Sequence, residues 1–286
     1  MTDPDSPTPT TDAPTAAAPT PTPTPTAPTP APTHTAPTAP ATAAPTPSGL
    51  ATEQGNAAPP TEVGAMFDRI SGVYDVMNAI ISGFQEPRWR RRAVVAAGVG
   101  IGDAVIDIAT GTGKVAASLK DQVGASGRVL GVDLAPKMVR RAQRAHADRP
   151  GLEFVVGNAM ELPAPDATFD AATIAFGMRN LPDYGRGFAE MRRVVRPGGR
   201  VVCLEIARPN HLVARLGRVW FERIVPWIGR LAGQGDAYGY LVESVRNYPG
   251  PERIAQVMRE ARLVDVTFTS MTFGMVTVHV GRRPAE

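Results

Sequence analysis

Apolar positions between residues 61 and 286 follow two periods. Met66, Phe67, Ile70, Val73, Tyr74, Met77, Ile80, Ile81 and Phe84 recur at steps of three and four, which predicts an amphipathic helix. Beyond it, short runs rich in Val, Ile and Phe predict strands near 104–108, 128–132, 152–156, 169–175 and 199–205. Helical stretches are predicted near 114–122, 136–146, 184–195 and 251–262. This alternation implies an α/β domain with a doubly wound, mostly parallel sheet, whose ligand sits at the carboxyl ends of the strands. Two last apolar segments, 264–269 and 275–281, flank a Gly-containing turn, predicting an antiparallel edge hairpin and bringing the strands to seven.

Residues 1–60 break the pattern. They are almost wholly Pro, Thr and Ala, and a segment so poor in large apolar side chains cannot offset its conformational entropy, so a solvated, polyproline-rich tail is expected there. The remainder, 61–286, is long enough for one domain with a sizeable core. The chain's net charge is +3 and the tail contributes −4, leaving +7 on the domain. That excess suits an anionic surface, but the aromatic-basic interleaving that stacks bases is missing, so no nucleic-acid partner is expected. Cys203 is the only cysteine, and His34, His146, His211 and His279 show no ligand spacing, so no metal is expected. No apolar run reaches membrane-spanning length, which predicts a cytoplasmic protein with at most peripheral membrane contact. The oligomeric state is not written in the pattern.

The chemistry concentrates in Val105-Ile106-Asp107-Ile108-Ala109-Thr110-Gly111-Thr112-Gly113-Lys114 and Gly131-Val132-Asp133-Leu134. An apolar strand that ends in a Gly-rich turn brings backbone close to a nucleotide-type ligand. An acid about 20 residues further on can accept hydrogen bonds from ribose hydroxyls. A phosphate-cradling P-loop fails, because Ile108 and Val115 stand where it needs Gly and Ser or Thr. Gly111, Gly113 and Ala116 do satisfy a dinucleotide spacing, although Asp107 beside the turn would repel a pyrophosphate. S-adenosylmethionine carries no phosphate and has a cationic amino-acid end that favours such an acid. On these residues both ligands stay open, with the charge argument favouring S-adenosylmethionine.

From Met66 to about Arg283 the chain resembles the ubiquinone/menaquinone biosynthesis C-methyltransferases. Tyr74-Asp75-Val76-Met77-Asn78 with Ser82 and Trp89, Phe176-Gly177-Met178-Arg179-Asn180, Arg193 to Arg200 leading into Leu204-Glu205, and Tyr240-Leu241-Val242-Glu243-Ser244 carry the likeness, together with Gly157-Asn158-Ala159. The resemblance implies a class I, Rossmann-like methyltransferase fold, S-adenosylmethionine as cofactor, and a polyprenyl quinol, demethylmenaquinol foremost, as substrate. It places the Gly111-Thr112-Gly113 backbone against the methionine part of the cofactor, Asp107 near its amino-acid end, Asp133 at the ribose, and Asn158 and Ala159 at the adenine. The chain departs from the family's usual residues at Glu86 (His), Thr110 (Gly), Lys114 (Asp) and Ala175 (Ser). These departures keep two other readings in view: a methyltransferase for another small molecule, and a cofactor-binding scaffold without catalysis.

For the reaction itself, a ring carbon becomes nucleophilic when its phenol ionises, so a group that stabilises phenolate is required. Arg179, just past the fourth strand, is the candidate; guanidinium does not deprotonate at working pH, so a base role for it is excluded. Tyr74 is the candidate hydrogen-bond partner for the substrate oxygen, and His279 the candidate base by its ordinary pKa. Leu212, Leu216, Val219, Trp220, Ile224, Trp227, Ile228 and Leu231, interleaved with Arg215, Arg218, Arg223 and Arg230, form a basic amphipathic face suited to a lipid interface or to a lid.

Overall fold

The computed structural model describes residues 55, 59–70, 79, 82–207 and 235–286. Residues 1–54, Tyr74 and the basic amphipathic stretch 212–231 therefore lie outside the described residues. The described helices are α1 (Pro60–Ile70), α2 (Glu86–Ala97), α3 (Lys114–Val123), α4 (Pro136–Ala145), α5 (Tyr184–Val194), α6 (Gly235–Asn247) and α7 (Pro251–Glu260). The strands are β1 (Ala104–Ile108), β2 (Arg128–Asp133), β3 (Leu152–Val156), β4 (Phe169–Ala175), β5 (Val195–Ile206), β6 (Val264–Met271) and β7 (Val276–Arg282).

They form one seven-stranded sheet in the order β3-β2-β1-β4-β5-β7-β6, in which β1 to β5 are parallel and β7 runs antiparallel to both neighbours. From β1 the chain builds outward through β2 and β3, then returns to the other side of β1 with β4. The strand order therefore reverses between β1 and β4, and the loops leaving these two strands part to make a crevice. The predicted doubly wound sheet and edge hairpin are both present.

Strand alternation sends residues to two buried layers. Ile106, Ile108, Ile174 and Cys203 pack with Phe188 and Met191 of α5 and Ile254 and Met258 of α7. Val105, Ala171, Val202 and Leu204 pack on the other face with Trp89 and Ala93 of α2 and Val115 and Leu119 of α3. The same alternation delivers Asp107 to the α2–α3 face, where it is 1% exposed.

Two boundaries differ from expectation, and two helices, α2 and α6, lie outside the predicted stretches. Helix α1 begins at Pro60, six residues before the apolar periodicity, because proline's fixed φ suits a first helical turn. Strand β5 begins at Val195, not 199: Val195 pairs with Phe169, and a bulge after Phe169 absorbs the Pro-Gly-Gly sequence, with Gly198 at φ 79°. Helix α2 was not predicted at all. Its apolar stripe of Trp89, Ala93, Val94 and Ala97 is narrow and interrupted by four arginines, which hides the period until the helix is seen to pack.

Candidate functional site

The crevice at the β1/β4 reversal is an open cleft of about 770 Å³, its mouth included. Its wall is built from the carboxyl ends of the strands: Ala109 and Gly111 after β1, Asp133 and Leu134 at the end of β2, Asn158 and Ala159 after β3, and Ala175 to Gly177 after β4. Val63, Gly64 and Phe67 of α1 close it from one side.

Of the residues expected to hold a cofactor, Gly111, Asp133, Asn158 and Ala159 line the cleft; Asp107, Thr112 and Gly113 stand behind it. Asp133 organises the floor. Its Oδ2 accepts the Gly111 N–H at 2.7 Å and its Oδ1 accepts the Ala135 N–H at 2.9 Å, so the carboxylate ties the end of β2 to the glycine turn. Burial pushes its pKa upward, opposed by these two N–H groups. Gly111 sits at φ 58° with nothing within 4 Å of where a Cβ would be, so its bare backbone faces open space. Asn158 uses its Oδ1 to accept from Met160 N–H at 2.9 Å, the turn role common for that residue type. Gly113, also left-handed, presses on Phe154, where a Cβ would come within 2.6 Å of the ring. Asp133 is the single titratable side chain among the described residues lining the cleft, and no lysine or arginine lines it there.

Among the described residues, that charge pattern favours the phosphate-free ligand. A pyrophosphate would meet a carboxylate and no cation, whereas a cationic, phosphate-free nucleoside meets a carboxylate, bare glycine backbone and an apolar wall of Leu134, Met138 and Met160. The residues present fit S-adenosylmethionine.

Beneath the turn, Asp107 accepts the hydroxyls of Thr110 and Thr173, each at 2.6 Å. Thr110, which replaces the family's usual Gly, is thus used to hold this buried acid. Burial raises the Asp107 pKa to about 6, moderated by the two hydroxyls and Arg90 and reinforced by Asp133. A carboxyl whose native pKa exceeds its ordinary 3.8 favours folding below pH 3.8, and that contribution is lost as pH rises through about 6. For the ligand-free protein, replacing Asp107 with Asn should therefore flatten the fall in stability from pH 4 to 7 by on the order of 3 kcal/mol. Thermal melts of both proteins across that range check this; parallel curves would rule it out.

The loops after β1 and β4 touch. Ala109 and Phe176 both adopt positive φ (52° and 59°), uncommon for residues with a Cβ and concentrated at functional sites. Phe176 is held there by its N–H, which donates to Leu204 O at 2.7 Å, and by Trp89, whose ring meets it edge-on at 6.2 Å. Gly177 has ordinary φ, but a Cβ on it would lie 2.4 Å from Ala109 Cβ. Gly177→Ala thus isolates a steric effect: the two loops must separate, lowering stability by roughly 1–3 kcal/mol and weakening S-adenosylhomocysteine binding in calorimetry.

The expected catalytic residues are less close together than their roles require. Arg179 is buried, and its guanidinium does not line the cleft. Nη1 pairs with Glu205 Oε1 at 2.7 Å and also donates to Phe176 O, while the Arg179 backbone N–H donates to Glu205 Oε2 at 3.1 Å. Its charge is matched by Glu205, so its direct effect is to fix the Phe176–Asn180 loop. His279 sits on β7, 1% exposed, opposite Cys203. Its Nε2–H donates to Pro251 O at 2.9 Å, its ring lies against Phe268, and burial lowers its pKa to about 4. The structure does not bring it to the cleft.

Sequence reasoning missed several lining residues. Asn180, in the sequence only the last residue of a block that resembles the family, lines the cleft, and its Oδ1 accepts from Tyr240 Oη at 3.1 Å, so α6 is tied to this wall. Ala175 contributes backbone and shape as expected. Lys114 is exposed at the first position of α3 and does not line the cleft, and Glu86 is paired with Arg90 at 2.6 Å.

Comparison with known proteins agrees with this geometry. The family model of the ubiE/COQ5 methyltransferase family matches residues 55–283. A demethylmenaquinone methyltransferase of Thermus thermophilus is 42% identical over 223 residues, covering 77% of this chain and 100% of that protein. One of Geobacillus sp. is 38% identical over 222 residues, covering 76% and 95%. The crystal structure of a SAM-dependent methyltransferase of Thermotoga maritima superposes with a TM-score of 0.55 at 18% identity, covering 77% of this chain and 98% of that one, and so shares the fold. With the strand order in place and a family match that runs from residue 55 to residue 283, this chain belongs to the ubiE/COQ5 methyltransferase family.

Proposed function

We propose that the protein C-methylates demethylmenaquinol to menaquinol, a polyprenyl quinol reaction of menaquinone biosynthesis. S-adenosylmethionine is the methyl donor, and when bound it supplies an electrophilic methyl group already activated for in-line displacement. The observation that carries the reading is the match, over 95–100% of their length, to relatives named demethylmenaquinone methyltransferase, joined to a cleft whose acid, Asp133, and bare glycine backbone suit that donor.

In this reading Asp133 accepts hydrogen bonds from the ribose, Asn158 and Ala159 meet the adenine with Leu134 and Met138, and the Gly111-Thr112-Gly113 backbone faces the methionine part. Asp107 works one layer down, holding the turn and adding negative charge near a cationic group. Since the methyl is pre-activated, the chain's main task is to place the donor and the quinol carbon in line and to exclude water. Arg179 acts as a positioning residue: through Glu205 and Phe176 O it sets the loop that walls the reacting end. Tyr74 is proposed to hydrogen-bond the quinol oxygen.

The test is turnover of a demethylmenaquinol analogue by purified protein with methyl-labelled S-adenosylmethionine, with the labelled product expected to carry the methyl on the ring carbon. Binding without turnover would support the silent-scaffold reading instead, and methylation of another acceptor would redirect the substrate assignment.

A further inference from the structure

Phe84, in the turn before α2, and Phe273, in the β6–β7 turn, are each 72% exposed. Both are left-handed, at φ 61° and 55°. A single exposed apolar residue needs no explanation, but two bulky aromatics held in a disfavoured backbone conformation, with their rings turned to solvent, gain little packing for it. Their turns belong to one rim. Trp89 Nε1 donates to Thr272 Oγ1 at 2.8 Å, joining the start of α2 to the hairpin tip. The Trp89 ring meets Phe176 of the cleft wall, and Ala207 N–H donates to Met275 O, which places the hairpin tip at the carboxyl end of β5. The rim therefore borders the cleft.

Along the first turns of α2, Arg88, Arg91 and Arg92 are exposed, and none of them makes an ion pair among the described residues. Arg90, on the same helix, turns inward to Glu86. Two aromatic tips with three unneutralised guanidinium groups set behind them match a membrane interface: rings among the upper acyl chains, cations at the phosphates.

We infer that Phe84 and Phe273, with Arg88, Arg91 and Arg92, form a docking rim for an anionic phospholipid bilayer, setting the cleft over the membrane that holds the substrate. This rests on the quinol reading above, because a prenyl tail keeps that substrate in the bilayer. Its residues are distinct from those of the basic amphipathic stretch 212–231, the interface expected from the sequence.

The test uses the full chain with vesicles of phosphatidylcholine, with and without phosphatidylglycerol. Phe84→Asn with Phe273→Asn removes both tips while placing a residue tolerant of positive φ at each turn, so folding is preserved. A second variant carries Arg88→Gln, Arg91→Gln and Arg92→Gln. The wild type is expected to co-sediment with phosphatidylglycerol vesicles in a salt-sensitive way, and both variants to bind about tenfold or more weakly. Both should keep wild-type turnover of a short-chain, water-soluble quinol and lose turnover of long-chain quinol held in vesicles. Equal vesicle binding by variants and wild type, or no capture of wild type, overturns the inference. So does a wild-type dimer that the phenylalanine variant splits without any vesicle binding, since the rim would then join two copies. If vesicle binding behaves as expected but no quinol is methylated, the substrate reading fails and the docking rim stands.

Discussion

Asp133→Ala is expected to weaken S-adenosylhomocysteine binding by roughly 1.5–3 kcal/mol or more, a loss of about one to two orders of magnitude in affinity. Two effects combine. The carboxylate is the proposed acceptor for the ribose hydroxyls, and it also accepts the Gly111 and Ala135 N–H groups, so its removal frees the glycine turn it anchors. Asp133→Asn separates the two: the amide keeps the shape and one acceptor, but its NH2 cannot accept the second backbone N–H, so part of the loss remains. Isothermal calorimetry on both variants, with circular dichroism to establish folding, gives the comparison. Wild-type affinity in a folded Asp133→Ala protein would remove Asp133 from the cofactor site.

The largest stability effect is expected at Arg179. Arg179→Ala strands the Glu205 carboxylate at 1% exposure, and breaking a buried pair from one side typically destabilises by about 3–5 kcal/mol. For a domain of this size that corresponds to a fall in Tm of roughly 6–20 °C. Adding Glu205→Gln should recover part of it, because the stranded charge is gone and the amide oxygen still accepts one of the two backbone N–H groups, of residue 179 or of Ile206, that the carboxylate accepts on separate oxygens. Single-turnover methyl transfer by the same two variants then separates the roles. A rate that recovers together with Tm marks Arg179 as a residue that positions the loop. A rate that stays low in the stabilised double variant would mean that its positive charge acts on the substrate oxygen.

The parts of the site visible in advance share a property: they are written in consecutive residues. The glycine turn and the acid closing β2 declare themselves through local residue patterns, the Gly-Asn-Ala turn after β3 through the family resemblance, and all three segments meet in one cleft. What stayed hidden depends on partners far away in the chain. Nothing near Arg179 in the sequence reveals Glu205, 26 residues on, and with that partner unseen the guanidinium looked available to a substrate. His279 looked like a base because its ordinary pKa suits the task; Pro251 O and the burial of β7 make it a neutral structural group. The link between Asn180 and Tyr240 spans 60 residues and gives no local signal.

The sequence by itself determined the class of fold, the succession of its strands and of most of its helices, the ligand end of the sheet and the residue types offered to a cofactor, because periodicity, turn chemistry and strand-end acids are short-range properties. Only the tertiary structure decided how charge is distributed among those residues. Packing β4 and β5 together neutralised Arg179 with Glu205, burying β1 raised the Asp107 pKa to about 6, and docking α2 on the sheet brought Trp89 to Phe176 and the hairpin tip. The physical reason is that burial and Coulomb interaction depend on distance in space, and the distances that matter here are set by strand pairing between segments that the chain keeps far apart.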